Sequence, residues 1–340
     1  MSKLKVLIAA GGSGGHLFPA QQLAELLQKD SEVVFAGHLL SQSPFFAGTH
    51  FAYQEIVAAP PTQPLRFLSS SCKGLWQSLS FLRKKKPDVV VGFGSFHTFP
   101  VLLAAALLRK KIILFEANTT LGKVNRLFAP VATHVAWQFP QENGVTVPFL
   151  PWAKSPAELP SARAARERYG LDPNLPTLLV FGGSQGAAFL NERIPKAMKG
   201  MDLQVLHLTG KGEAKYDGAL CCVKAFEKEM HWAYAAADVV VCRSGAGTIA
   251  ELIRYEKPAL LIPFPQASED HQRKNGEFLA HRIGGAFLLA ERAASPSYLR
   301  AEIAHLFREE VNLRSNLRIW KQKLLPASGL DEWVRKVGKM

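Results

Sequence analysis

Short apolar runs alternate with helical patterns along the whole chain. In the first half the runs fall at Leu4–Ala10, Glu32–Ala36, Tyr53–Val57, Asp88–Gly92, Ile112–Glu116 and His134–Gln138. In the second half they fall at Thr177–Phe181, Leu203–Leu208, Ala219–Val223, Asp238–Cys242, Ala259–Pro263 and Ala286–Ala290. Asp88-Val-Val-Val91 and Asp238-Val-Val-Val241 are continuously apolar after one acid. Such runs suit strands buried on both faces of a parallel sheet. After the first run, Ala20, Leu23, Ala24 and Leu27 recur at helical spacing and predict an amphipathic helix. The alternation predicts an α/β architecture with right-handed crossovers.

The two halves open alike. The first strand runs into Gly11-Gly12-Ser13-Gly14-Gly15-His16 and a helix, and Thr177–Phe181 runs into Gly182-Gly183-Ser184-Gln185-Gly186-Ala187 and a helix. This predicts two Rossmann-like domains facing one another across a cleft, with ligand at the carboxyl ends of the strands. The seam falls in Pro148–Pro160, which carries Pro148, Pro151, Pro156 and Pro160. The expected domains are residues 1–152 and 153–340. The tail from Tyr298 to Met340 reads as helices rich in Arg and Lys, the last of them able to pack back on the first domain.

A length of 340 residues accommodates two such domains. Hydrophobic residues at 48% and charged residues at 20% exclude a largely disordered chain. The net charge of +13 favours an anionic partner without choosing among phosphorylated substrate, acidic membrane and nucleic acid. No recognition helix, zinc finger or RNP-type motif accompanies the charge, so nucleic acid is not expected. The four cysteines form no C-x-x-C and read as reduced core residues. The apolar stretch Val6–Ala10 is too short for a signal peptide, and no run reaches membrane-spanning length. The expected location is cytoplasmic.

Glycine turns between strand and helix let backbone N–H groups approach an anion, and the helix N-terminus adds partial positive charge. Ser244-Gly245-Ala246-Gly247-Thr248 forms a third such turn. Single glycine turns arise for purely structural reasons, but three at equivalent junctions point to a phosphate-bearing ligand. G-x-G-x-x-G with its acidic partner is missing, as is the P-loop Lys-Ser/Thr ending, which disfavours a dinucleotide-binding dehydrogenase and a P-loop NTPase. D-x-D is absent and no His/Cys cluster has zinc spacing, so neither metal nor cofactor is expected. Gly11-x-Ser13-x-Gly15 and Gly182-x-Ser184-x-Gly186 both match a nucleophile elbow. A serine hydrolase needs one elbow, whereas duplication with extra glycines suits anion cradles.

With these turns the sequence resembles the MurG family of UDP-N-acetylglucosamine transferases. The resemblance is carried nearly end to end by Gly11–His16 with Phe18-Pro19, Lys86–Val90, Glu116 with Asn118, Gly182–Ala187, Val239 through Glu251, Pro263-Phe264, and Gln272 with Asn275. It implies a GT-B fold, an acceptor site mostly on the first domain and a UDP-GlcNAc site mostly on the second. The implied reaction is inverting transfer of GlcNAc to the 4-hydroxyl of undecaprenyl-diphospho-MurNAc-pentapeptide. His16, ending the first loop, is the implied general base; Glu116 is the other candidate for taking the proton. Ser13, Gly14 and Gly15 would lie near the acceptor diphosphate, and Asn118 near the transferred sugar. The resemblance places Ser184 on phosphate, and Ala246, Gly247, Thr248, Ile249 and Ala250 along the diphosphate and ribose. Glu251 falls on the ribose hydroxyls, Phe226-Glu227 on the uracil through backbone, and Gln272 on the GlcNAc hydroxyls. Amides suit that last role because they donate and accept.

The sequence departs from the family pattern at Phe115-Glu116-Ala117-Asn118, at Gly94-Ser95-Phe96, and around Leu150–Lys154, where Lys154 stands in for an interdomain Arg without its bidentate reach. A lipid-linked acceptor also implies peripheral contact with an anionic membrane. Leu65–Leu68, Leu75, Trp76, Leu79 and Leu82, ending in Arg83–Lys86, offer an apolar and cationic patch, as does Arg109–Lys111 after Val101–Leu108. The same leucines equally fit a core-facing helix stripe. A GT-B transferase with another acceptor, or a weakened sugar-nucleotide binder, is the alternative function.

Overall fold

The computed structural model describes residues 3–12, 14–60, 62, 64–141, 145–147, 160–183, 185–217, 220–324 and 329–340. Ser13, Ser184, Lys154 and nearly all of the proline-rich seam lie outside the described residues. The chain divides into two units, residues 1–153 with 327–340, and residues 154–326.

The first unit runs β1 (Leu4–Ala9), α1 (Gly14–Leu27), β2 (Ser31–Gly37), β3 (Tyr53–Glu55), α2 (Pro64–Lys85), β4 (Val89–Gly92), α3 (Phe99–Leu107), β5 (Lys111–Glu116), α4 (Lys123–Phe128), β6 (His134–Trp137) and β7 (Val145–Thr146). Its sheet has the order β3-β2-β1-β4-β5-β6-β7, every pair parallel. The second unit runs α5 (Ala162–Arg168), β8 (Thr177–Phe181), α6 (Ala188–Met198), β9 (Gln204–Leu208), β10 (Cys221–Lys224), α7 (Met230–Ala236), β11 (Val239–Cys242), α8 (Ala246–Arg254), β12 (Ala259–Leu261), α9 (His271–Glu277), β13 (Ala286–Leu288), α10 (Pro296–Arg308) and α11 (Glu310–Leu324). Its sheet has the order β10-β9-β8-β11-β12-β13, again all parallel.

Each predicted strand is present: Thr177–Phe181 matches end to end, and the others have an end trimmed, extended or shifted. The two-residue β7 was not expected, since so short a pairing leaves no periodic signal. Helices cover the sheet faces, so the central strands β1, β4, β8 and β11 are buried over nearly their whole length. On α1, Ala20, Leu23, Ala24 and Leu27 are all fully buried, as their spacing predicts.

The acid ahead of β4 and of β11 has the same task in both units. Asp88 accepts from the Lys5 backbone N–H at 2.8 Å and returns its own N–H to the Lys5 carbonyl. Asp238 accepts from the Thr177 N–H at 2.7 Å and returns its N–H to the Thr177 carbonyl. Each acid fixes the register of a central strand against its neighbour. That register sets which strand ends flank the point where the connections change direction, between β1 and β4 in one sheet and between β8 and β11 in the other. Ligands of doubly wound sheets bind at that point.

The last helix, α12 (Leu330–Lys339), belongs to the first unit. Leu330, Val334 and Val337 are fully buried in the core formed by β1, α1 and β4. Arg335 clamps it there, donating to Asp30 at 2.9 Å and to the Leu26 carbonyl at 3.1 Å.

Candidate active site

In the first unit α1 begins at Gly14, so His16 stands in the first helical turn and not at the end of a loop as the sequence suggested. Gly14 is buried, Gly15 exposed and His16 half-buried. His16 Nδ1 lies 2.7 Å from the Phe93 carbonyl at the end of β4. A carbonyl only accepts, so Nδ1 carries the proton and Nε2 keeps the basic lone pair. The ring is thus held in the tautomer a general base needs.

Two more imidazoles gather at the same edge of the sheet. His38 follows β2 and His97 follows β4, their rings stacked at 5.7 Å. The His97 ring lies over the glycine turn: a Cβ on Gly12, whose φ is +91°, would meet His97 Nδ1 at 2.9 Å. Burial, with His38 and His16 adding to it, pulls the His97 pKa down to about 4. Ser95 accompanies it with φ 69° and ψ 149°, a region nearly confined to glycine that costs about 1–3 kcal/mol for other residues. Its hydroxyl lies 2.7 Å from His97 Nδ1. From sequence Ser95 was noted only as part of a departure from the family pattern and His97 not at all, because isolated histidines and serines carry no spacing signal.

Glu116 is buried, and four donors occupy its carboxylate. Oε1 accepts from Asn118 N at 3.0 Å and Asn118 Nδ2 at 2.9 Å, and Oε2 accepts from Gly122 N and Asn125 Nδ2, each at 2.9 Å. A carboxylate so fully engaged organises the loop after β5 and is poorly placed to take up a substrate proton. Asn118 is held at that loop's mouth.

In the second unit the turn after β8 leads to α6. Gly186, with φ +77°, is required by close approach: a Cβ there would lie 2.1 Å from the Thr209 carbonyl. Its N–H donates to the Gly183 carbonyl at 2.9 Å. The glycine at this position therefore serves the packing of the turn, where the sequence suggested an anion donor. After β11, Gly245 caps α8. Ala246 and Thr248 are half-buried and Gly247 is exposed. Gly247 and Thr248 lie in the first turn, whose amides have no intrahelical carbonyl four residues back. Ile249 and Ala250 differ, for their side chains are in the core and the Ile249 N–H donates to the Gly245 carbonyl at 3.0 Å.

Behind this helix end, Ser244 donates to the Gln272 carbonyl at 2.7 Å, and Asn275, fully buried, donates to the Ser244 carbonyl. Asn275 thus braces the turn. Gln272 Oε1 accepts from the Phe264 N–H at 2.9 Å, which fixes the orientation of the amide and leaves Nε2 as its donor. Glu251 accepts from Tyr234 Oη at 2.7 Å, and burial pushes its pKa up to about 7 against that hydrogen bond. Glu227 is buried beneath its turn. Burial raises its pKa, but hydrogen bonds from Lys224, the Glu229 N–H and Tyr169 outweigh this and bring it to about 2. Its side chain is spent on structure, which leaves backbone as the turn's contact surface.

Among the described residues no three His, Cys, Asp or Glu side chains are grouped to hold a metal ion. None of their helices is long and apolar enough to cross a membrane.

Comparison with known proteins accounts for the two-unit plan. Residues 6–137 match the glycosyltransferase family 28 N-terminal domain, and residues 177–324 match the glycosyltransferase family 28 C-terminal domain. The chain belongs to glycosyltransferase family 28. Its family 28 relatives include a Protochlamydia amoebophila protein, 39% identical over 89% of this chain and 87% of its own length, and a Dechloromonas aromatica protein, 35% identical over 87% and 88%. Both are named UDP-N-acetylglucosamine--N-acetylmuramyl-(pentapeptide) pyrophosphoryl-undecaprenol N-acetylglucosamine transferase. The crystal structure of MurG from Acinetobacter baumannii superposes with a TM-score of 0.75 over all of both chains at 24% identity. The calicheamicin glycosyltransferase CalG4 does so at 0.71 over 99% and 98% with 14% identity. These likenesses establish the GT-B fold that the paired parallel sheets express.

Proposed function

We propose that this family 28 glycosyltransferase moves GlcNAc from UDP-GlcNAc to the 4-hydroxyl of undecaprenyl-diphospho-MurNAc-pentapeptide, with inversion, in peptidoglycan synthesis. One observation carries the reading: relatives at 33–39% identity, aligned over about nine-tenths of both chains, bear a single name. In this reading His16 Nε2 takes the proton from the attacking hydroxyl as the glycosidic bond to UDP breaks. Gly14 and Gly15, with Ser13, flank the acceptor diphosphate, and Asn118 lies near the sugar. The departing UDP gathers negative charge. The N-terminal amides of α8 at Ala246, Gly247 and Thr248, with the turn holding Ser184, stabilise it without reorganisation. Glu251 accepts from the ribose hydroxyls, and Gln272 Nε2 donates to a GlcNAc hydroxyl.

The acceptor's lipid keeps it in the bilayer, so the enzyme works as a peripheral protein on the cytoplasmic membrane face. Leu75, Leu79 and Leu82 pack into the core with α3, which assigns them to the fold. Leu68, Cys72, Trp76, Ser80 and Lys84 instead form an exposed stripe along α2, and Arg83 to Lys86 are all exposed. This stripe, apolar at one end and cationic at the other, supports contact with an anionic surface.

The deciding experiment measures UDP release from UDP-GlcNAc with and without a lipid-linked muramyl pentapeptide. Release that depends on that acceptor is expected. Nucleotide binding with no acceptor-dependent release would make the chain a sugar-nucleotide binder, and release with another acceptor would reassign the substrate.

A further inference from the structure

The first unit brings His16, His38 and His97 to the carboxyl ends of β1, β2 and β4, three adjacent strands that meet where the sheet's connections change direction. All three rings are partly exposed. Glu55 acts electrostatically on His38. His97 Nδ1 is engaged by Ser95, and Nε2 has no hydrogen-bond partner among the described residues. We propose that His97 binds the diphosphate of the lipid-linked acceptor through Nε2, and that Ser95 is the residue that positions it.

The chemistry follows from the pair. The 2.7 Å contact joins a hydroxyl that can donate to a ring nitrogen that can accept; we take Ser95 as the donor, which puts the ring proton on Nε2 and makes the neutral imidazole an N–H donor toward an anion. Neutrality suits a ring that stands beside two other imidazoles, since His16 and His38 both oppose a charge on it. His97 also packs over the Gly11-Gly12 turn, the turn that leads into α1. Ser95 keeps a glycine-like backbone conformation while supplying a hydroxyl that glycine lacks. Strain retained in exchange for a side-chain contact is the mark of a functional position. The inference rests on the first unit taking the acceptor, as proposed above.

The test uses the full chain, UDP-GlcNAc and a short-chain prenyl-diphospho-MurNAc-pentapeptide. His97→Ala should raise acceptor KM about tenfold, the loss of one hydrogen bond to a charged group, with kcat and donor KM within about twofold of wild type. His97→Gln, which keeps an N–H donor, should recover part of the loss. Ser95→Gly should raise Tm by releasing the backbone and still raise acceptor KM severalfold, a combination a purely structural serine would not give. In a histidine-labelled sample, a short prenyl diphosphate should shift the His97 ring signals, and acceptor-free anionic phospholipid vesicles should not. An unchanged acceptor KM in His97→Ala overturns the assignment, as does a ring that responds to vesicles alone. Ser95→Gly with higher Tm and unaltered KM removes Ser95 from it. If wild type shows no acceptor-dependent UDP release, the acceptor reading itself has failed, a result distinct from all of these.

Discussion

At the scale of single residues, His16 and Glu251 carry the sharpest expectations. His16→Ala should lower turnover about 100-fold or more while UDP affinity stays near wild type, measured by acceptor-dependent UDP release and calorimetry. Equal turnover would remove the imidazole from proton transfer. Glu251 predicts a pH dependence. Its carboxyl is raised from 4.5 to about 7 in the fold. Below 4.5 both folded and unfolded chains hold the proton. Between 4.5 and 7 only the folded chain does, so this group's contribution to stability drains away as pH rises and is gone above 7. Glu251→Gln should flatten the fall of Tm across that window. The ionised carboxylate is the better acceptor for ribose hydroxyls, so UDP binding should tighten as pH rises through 7 in wild type and lose that component in Glu251→Gln. His16, Glu251 and Gln272 were nameable from sequence through the family resemblance, since each falls in or beside a motif that carries it. Their partners were not. Tyr234 and Phe93 meet them only through the fold, and no local pattern announces that the Gln272 oxygen accepts from the Phe264 N–H.

At the scale of elements, the strands were legible because burial on both faces demands unbroken apolar runs, as in Val89–Val91 and Val239–Val241. Their ends were less so, because pairing geometry and not hydrophobicity stops a strand. The start of α1 was misjudged for a related reason: Gly14 and Gly15 read as loop, yet they form a helical turn. The reach of α12 was only an expectation of the sequence, since its apolar stripe names no partner. Leu330, Val334 and Val337 are fully buried and contribute about 1.5–3 kcal/mol each, together comparable to the stability of a whole domain. Deleting residues 329–340 should therefore abolish hydrogen-exchange protection of β1 amides while β8 amides keep theirs. Protected β1 amides in the truncated chain would show that α12 is dispensable.

At the scale of the molecule, the same plan appears twice, down to an acid that pins each central sheet through Lys5 and Thr177. Similar scaffolds carry different chemistry because the turns at the strand ends differ, imidazoles in one unit and amides with a carboxylate in the other. The surface adds a further expectation. Trp76→Ala combined with Ala at residues 83–86 should reduce co-sedimentation with anionic vesicles, and the cationic part of that loss should also appear in wild type at high salt. Undiminished sedimentation would move the contact elsewhere on the protein. The placement of α12 bears on how the protein is made. Because the ribosome delivers the chain from its amino end, the first lobe emerges lacking the helix that seals it, and the second lobe is complete before that helix appears. The lobe that is translated first must therefore be the last to close.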